Sequence, residues 1–285
     1  MKKIGGKKVE TIKKQKENKT KLAKRLGISR SALYYQPKRP EIDLEVKAQI
    51  ESVLTDNPAY GHKRIAHELK LNKKRILRVM KKFNIKPYRR KAKKPVKKDD
   101  LNKSPTSFQN LIKDVAVDHP NQIWITDFTY LKYQTKFIYL ATIIDLFTRE
   151  VVGVNISRFH NRFLVIGALL NALENYPAAE FIHSDQGSEY DSSDFIDLCL
   201  SSGIKISMST KGSPWQNGYQ ESFFGRFKTE FGDFNRFETI GELIEEIYHQ
   251  INYYNYHRLH TSLKTTPYQF RINYQLNQRS RDSLH

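Results

Sequence analysis

A mixed α/β domain preceded by small all-helical modules is predicted from three observations. Charge divides the chain: residues 1–100 hold 32 Lys+Arg against 10 Asp+Glu, a balance of +22, while the remainder holds 17 against 20, a balance of −3. Apolar residues of the basic part recur at helical spacing. From Gln122 onward, runs rich in Ile, Val, Thr and aromatic residues alternate with helical patterns, as strands and helices of a covered sheet do.

The elements follow in order. Residues 1–19 are Lys-rich with hardly any apolar periodicity, a tail that either touches phosphates or only confers solubility. In "TKLAKRLGISRSALYYQP", Leu22, Ala23 and Leu26 share a helical face, Gly27 permits a tight turn and Ser29 can cap a second helix. That pattern reads as a helix-turn-helix over residues 20–40, with Arg30 placed to meet DNA. A second helical module spans 41–88. Its last helix, "NKKRILRVMKKFNI", is capped by Asn72 and buries Ile76, Val79, Met80 and Phe83. Lys73, Lys74, Arg75 and Arg78 cover much of its other side with almost no acid to offset them, so they are expected to contact DNA phosphates. Residues 89–118 combine Pro with charge and read as a basic linker.

The α/β pattern occupies 119–232. "QIWITDFTY", "KFIYLATIIDLF" and "REVVGVNIS" read as three strands joined by short turns. "FLVIGALLNALENY" and "SDFIDLCLSSG" read as helices, and "AEFIHSD" and "KISMS" as the fourth and fifth strands. A helix through 221–231 closes this region. Residues 233–285 form a C-terminal helical extension, in which Ile240, Leu243, Ile244, Ile247, Ile251 and Tyr254 repeat at helical spacing and pack on the core.

Composition bounds the function. A net charge of +19 and a pI near 9.7 call for a polyanionic partner. Cys199, the single cysteine, excludes disulfides within the chain and cysteine metal clusters and suits a reducing compartment. The charged N-terminus lacks a following apolar stretch and no segment approaches membrane-spanning length, so a cytoplasmic protein without membrane contact is expected.

Three acids stand out. Asp127 interrupts an apolar strand between Ile125 and Phe128, where a carboxylate needs a hydrogen bond, a cation or a metal. Asp185 ends the fourth strand before Gly187, at the kind of sheet edge where open α/β folds place ligands. Phe223, Phe224, Phe227 and Phe231 form one helical stripe, with Glu221 and Lys228 two turns apart along its rim. Two strand-borne aspartates and a helical glutamate make a hard oxygen site suited to Mg²⁺ or Mn²⁺. In a two-ion form, such a site serves phosphodiester chemistry.

"WITDFTY", "YLATIIDLFTR", "IHSDQGSEY", "SMSTKGSPWQNGYQESFFGRFK" and "YYNYHRLHTSLKTTP" together resemble the integrase core of DDE transposases of the insertion-sequence-three family, relatives of retroviral integrases. The resemblance spans roughly residues 41–275, including "YGHKRIAHELK" of the preceding helical module, and 35 residues separate Asp185 from Glu221. It implies a ribonuclease H-like five-stranded mixed sheet and a transposase that binds the terminal repeats of an insertion sequence. It also implies cleavage of the element ends and transfer of a 3′ end to target DNA without a covalent enzyme intermediate. Asp127, Asp185 and Glu221 become the catalytic metal ligands, for two Mg²⁺ or Mn²⁺ ions, and Lys228 meets terminal DNA. Further implications are a homo-oligomer when ends are synapsed, an upstream-frame fusion partner, and a bacterial, nucleoid-associated location.

Two positions depart from the family pattern: Gln216 stands where many relatives carry an acid, and Glu189 where many carry an amide. Other residues keep bland readings beside sharp ones. Asp145 either assists the site or holds a strand turn, His183 reads as a core histidine, and Trp215 and Tyr219 either stack on bases or anchor their loop. In "HRLH", His257 and His260 favour packing and Arg258 a phosphate contact. A catalytically inactive DNA-binding repressor derived from a transposase, and a nuclease acting on RNA or branched DNA, are the competing functions.

Overall fold

The computed structural model describes residues 39–89, 108–209 and 218–282, together with Thr20 and Lys24. The rest of the expected helix-turn-helix with Arg30, residues 90–107 of the linker, and Trp215 and Gln216 lie outside the described residues. The described residues fall into two compact units, one made of 39–56 with 65–86 and the other of 57–64 with 87–282.

The smaller unit is helical. It contains α1 (Arg39–Asp56), most of α2 (His62–Glu68) and α3 (Lys73–Lys82). Asn72 caps α3 as its sequence predicts, its side chain accepting from the Lys74 amide at 2.8 Å. Val46, Ile50, Ile65, Ile76, Val79 and Met80 are buried, whereas Phe83 is the half-buried C-cap. Asp43, 2% exposed, accepts from Arg78 at 2.6 and 2.8 Å and from Lys82 at 2.8 Å, and these cations hold its carboxyl down at about 2. Arg78 thus pairs with Asp43 from an exposed position, its side chain 49% exposed. Lys73, Lys74 and Arg75 stand exposed.

The larger unit is built on β1 (Ile123–Tyr133), β2 (Lys136–Asp145), β3 (Val151–Ser157), β4 (Phe181–Ser184) and β5 (Lys205–Met208), ordered β3-β2-β1-β4-β5. β1, β2 and β3 pair antiparallel, and β4 and β5 add on in parallel. α4 (Arg162–Asn175) and α5 (Ser193–Ser201) supply the crossovers that parallel pairing requires. This is the ribonuclease H-like mixed sheet that the resemblance implies. β1 runs three residues past the expected segment because Leu131 and Tyr133 continue its buried face, and the Tyr133 hydroxyl donates to the carbonyls of Phe237 and Glu238.

Side-chain alternation divides the core into two layers. Ile123 and Ile125 point to the face covered by α6 (Gly218–Phe231) and α7 (Ile240–Tyr256), among Phe223, Phe227, Leu243 and Ile247. Trp124, Ala141, Ile143 and Val152 point to the other, under α4 and α5. On that side Gly153 permits the close approach of β3 and α4, since a Cβ there would lie 2.4 Å from the Ala168 carbonyl oxygen. α8 (Pro267–Asp282) is tied down by Arg271, which donates to buried Glu150 at 2.7 Å.

Candidate active site

Strand pairing brings the two aspartates near each other. Ile125 lies opposite His183 where the parallel β1–β4 pairing ends; Asp127 follows on β1 and Asp185 directly after β4, close enough for the Asp185 charge to act on Asp127. The odd-numbered β1 residues Ile123 and Ile125 enter the core beneath α6, which places Asp127 toward the helix that bears Glu221.

Asp127 accepts from the Phe128 amide at 2.8 Å, yet burial and then the Asp185 charge, with a smaller push from Glu221, raise its carboxyl to about 7. Lys228 pulls the other way. Its ammonium donates to Thr129 Oγ1 at 2.6 Å and to the Tyr130 carbonyl at 2.9 Å, fixing the lysine over the strand that carries Asp127. Asp185 is exposed and accepts from the Gly187 amide at 3.0 Å. Gly187 leaves room for that turn, because a Cβ there would stand 3.1 Å from Asp185 Oδ1 and 3.2 Å from Glu189 Oε2.

Gln220 is a residue that the sequence reading missed. Fully buried, it donates to the carbonyls of Ile125 at 2.7 Å and Thr142 at 3.1 Å, and accepts from Thr142 Oγ1 at 3.1 Å. The first turn of α6 is thereby pinned to β1 and β2, with the adjacent Glu221 held exposed at the rim. An amide directly before a candidate acid on a helix otherwise lined with phenylalanine was the available signal.

Three carboxylates share this neighbourhood with one lysine, so the excess charge is negative and the donors are hard oxygens. That chemistry fits a divalent cation. Among the described residues, however, no three His, Cys, Asp or Glu side chains stand close enough together to enclose one ion. Asp127, Asp185 and Glu221 are the candidates to hold it.

The surrounding residues resolve several open readings. Asp145 is 1% exposed and holds the turn after β2, accepting from the amides of Asn121, Phe147 and Thr148 and from the Thr148 hydroxyl. His183 is a core histidine, bonded to Ser207 at 2.9 Å and driven down to about 4 by burial. Glu189 pairs with His160 at 2.9 Å. Tyr219 is half exposed beneath the Arg149 guanidinium, 4.0 Å from its ring centre. Arg258 does not fit the expected phosphate contact: it is 1% exposed, with Nε and Nη2 each donating to a Glu230 carboxylate oxygen at 2.6 Å.

Known proteins resemble this chain. Two integrase core domain families match residues 117–214 and 202–267. The transposase of insertion sequence element IS904 from Lactococcus lactis is 31% identical over 242 residues, covering 81% of this chain and 95% of that protein. Transposase InsF of IS3A from Escherichia coli is 36% identical over 128 residues, 44% of each chain. The catalytic core of HTLV-2 integrase, solved in complex with magnesium, aligns with a TM-score of 0.46 at 23% identity over 54% of this chain and 97% of that one. No helix among the described residues is long and apolar enough to cross a membrane. With a transposase matched along nearly its whole length and the integrase core matched across the sheet and α6, the chain belongs to the DDE transposases of the insertion-sequence-three family, which are polynucleotidyl transferases.

Proposed function

We propose that Asp127, Asp185 and Glu221 are the acids of this transposase, and that they act with Mg²⁺ or Mn²⁺, as two ions, to cleave and join DNA at the terminal repeats of its insertion sequence. The observation that carries this reading is the convergence of Asp127 on β1 with Asp185 just after β4, whose charges interact, beside a Glu221 whose helix turn is pinned by Gln220. Bound divalent cations supply activation of the attacking oxygen and stabilisation of the leaving one.

This chain's residues do the rest. In cleavage, a water oxygen forms a bond to phosphorus as the bond to the 3′ oxygen breaks, leaving a free 3′ hydroxyl. In transfer, that hydroxyl attacks a target phosphodiester and releases a target 3′ hydroxyl, so bonds made and broken balance at each step. The Asp127 carboxyl must give up its proton to serve as a ligand. Lys228, held beside it by Thr129 and Tyr130, offers a cation to terminal DNA phosphates. Exposed Lys73, Lys74 and Arg75 on α3, and Arg30, contribute phosphate contacts from the N-terminal part. Joining two ends needs two cores, hence a homo-oligomer on the DNA.

A strand-transfer assay in Mg²⁺, on duplexes carrying the element's own ends, tests the proposal. Wild type is expected to form joined products and Glu221→Gln none, with both binding the duplex. Equal product from both would remove Glu221 from the site; binding without products from either would favour the repressor.

A further inference from the structure

α6 has a second polar edge. At about 100° per residue, Arg226 and Glu230 fall on the side of the phenylalanine stripe away from Glu221 and Lys228. There a recess of about 450 Å³ opens within the larger unit, lined by Lys63, Arg64, Arg89, Arg226 and Thr261, with Glu230 the one carboxylate on its wall among the described residues. Glu230 does not neutralise these cations, because both of its oxygens are taken at 2.6 Å by Arg258 from the buried side. Arg64 lies 3.8 Å from Glu230 and reaches Thr261 through Nε at 3.3 Å. Arg89 spends Nη1 on the carbonyls of Ala59 and Tyr88. Arg226 is exposed and forms no ion pair or hydrogen bond among the described residues.

Three arginines and Lys63 against one carboxylate already paired with Arg258 leave the recess with excess positive charge. Burial and the neighbouring Arg258 and Arg226 charges also pull Arg64 down to about 10, against the opposing pull of Glu230, a strain that an anion would relieve. This concentration of cations is local, since residues 101–285 carry 17 Lys+Arg against 20 Asp+Glu.

We propose that the recess lined by Arg64, Arg89 and Arg226 is a phosphate-binding site that grips the backbone of duplex DNA. Guanidinium forks match phosphate oxygens, and the threonine hydroxyl adds a neutral donor. One helix would then present its acid to the scissile strand from one edge and hold a backbone phosphate from the other. The inference rests on the strand-transfer reading for the identity of the anion.

The test is duplex binding by the full chain, followed by fluorescence anisotropy across a salt series without divalent metal, for wild type, Arg226→Gln and Arg226→Lys. Arg226→Gln is expected to bind roughly ten-fold more weakly at low salt, on both element-end and unrelated duplexes. Its salt dependence should lose about one unit of log–log slope, as for one phosphate contact. Arg226→Lys should restore part of the affinity. Because Arg226 is exposed, its replacement leaves the core intact. Wild-type affinity and slope in Arg226→Gln would overturn the site while leaving the strand-transfer reading standing. Failure of wild type to bind any duplex would overturn both. Unchanged duplex binding with a lost oligomer by sedimentation would assign the recess to an acidic segment of a second copy, and would also overturn the proposal.

Discussion

Asp127→Asn is expected to abolish strand cleavage and transfer while raising the melting temperature of the metal-free protein. The loss should exceed about 10²-fold, since even the outer partners of metal ligands are worth that much. The gain in stability follows from the same burial. With a folded pKa of about 7 against an ordinary 3.8, the Asp127 carboxyl takes up a proton on folding between those values. Its stabilising contribution is complete below the ordinary value and is lost as pH rises through 7, where the protein must hold an ionised carboxylate beside Asp185. Asparagine mimics the protonated group and escapes that loss, so the variant should melt higher at pH 8 in chelator and lose the advantage toward pH 4. In Mg²⁺ the order should narrow or reverse, because the wild type alone gains from ion binding. Melting curves at both pH values, with chelator and with Mg²⁺, check it; a lower melting temperature for Asp127→Asn at pH 8 in chelator would contradict the electrostatic account.

Arg258→Ala is expected to act on the fold instead of on DNA directly. Removing a buried guanidinium that makes two 2.6 Å bonds leaves Glu230 with only Arg64, at 3.8 Å. Breaking such a pair from one side costs about 3–5 kcal/mol. Arg258→Lys should recover only part of this, because an ammonium cannot reproduce the two-pronged contact. Urea denaturation measures the difference. A variant as stable as wild type but weakened in duplex binding would return Arg258 to the phosphate contact that its basic context suggests.

Much of the site was legible because its signals are local. Asp127 is conspicuous as a charge within "WITDF", Asp185 as an acid at a strand end before Gly187, and Glu221 as the acid beside a phenylalanine stripe. The mixed character of the sheet was legible in the short turns between the first three strands and the helices between the last ones, whereas the order β3-β2-β1-β4-β5 was not. What escaped depends on partners distant in sequence. Gln220 acquires meaning only from carbonyls of Ile125 and Thr142, and Arg258 only from Glu230. The arginine recess joins residues from Lys63 to Thr261, so no window of sequence contains it. A basic side chain in a basic neighbourhood reads as a phosphate contact until its carboxylate is found.

The central claim is that three acids jointly hold the cation, although among the described residues no three His, Cys, Asp or Glu side chains stand close enough together to enclose one. Mn²⁺ titration of the full chain at pH 8, followed by electron paramagnetic resonance, tests it most directly, on wild type beside Asp127→Asn, Asp185→Asn and Glu221→Gln. Saturable binding by wild type, weakened in all three variants, is the predicted result. Wild-type binding by Glu221→Gln would mean that the helix acid is no ligand, and the site would reduce to its two strand-borne aspartates.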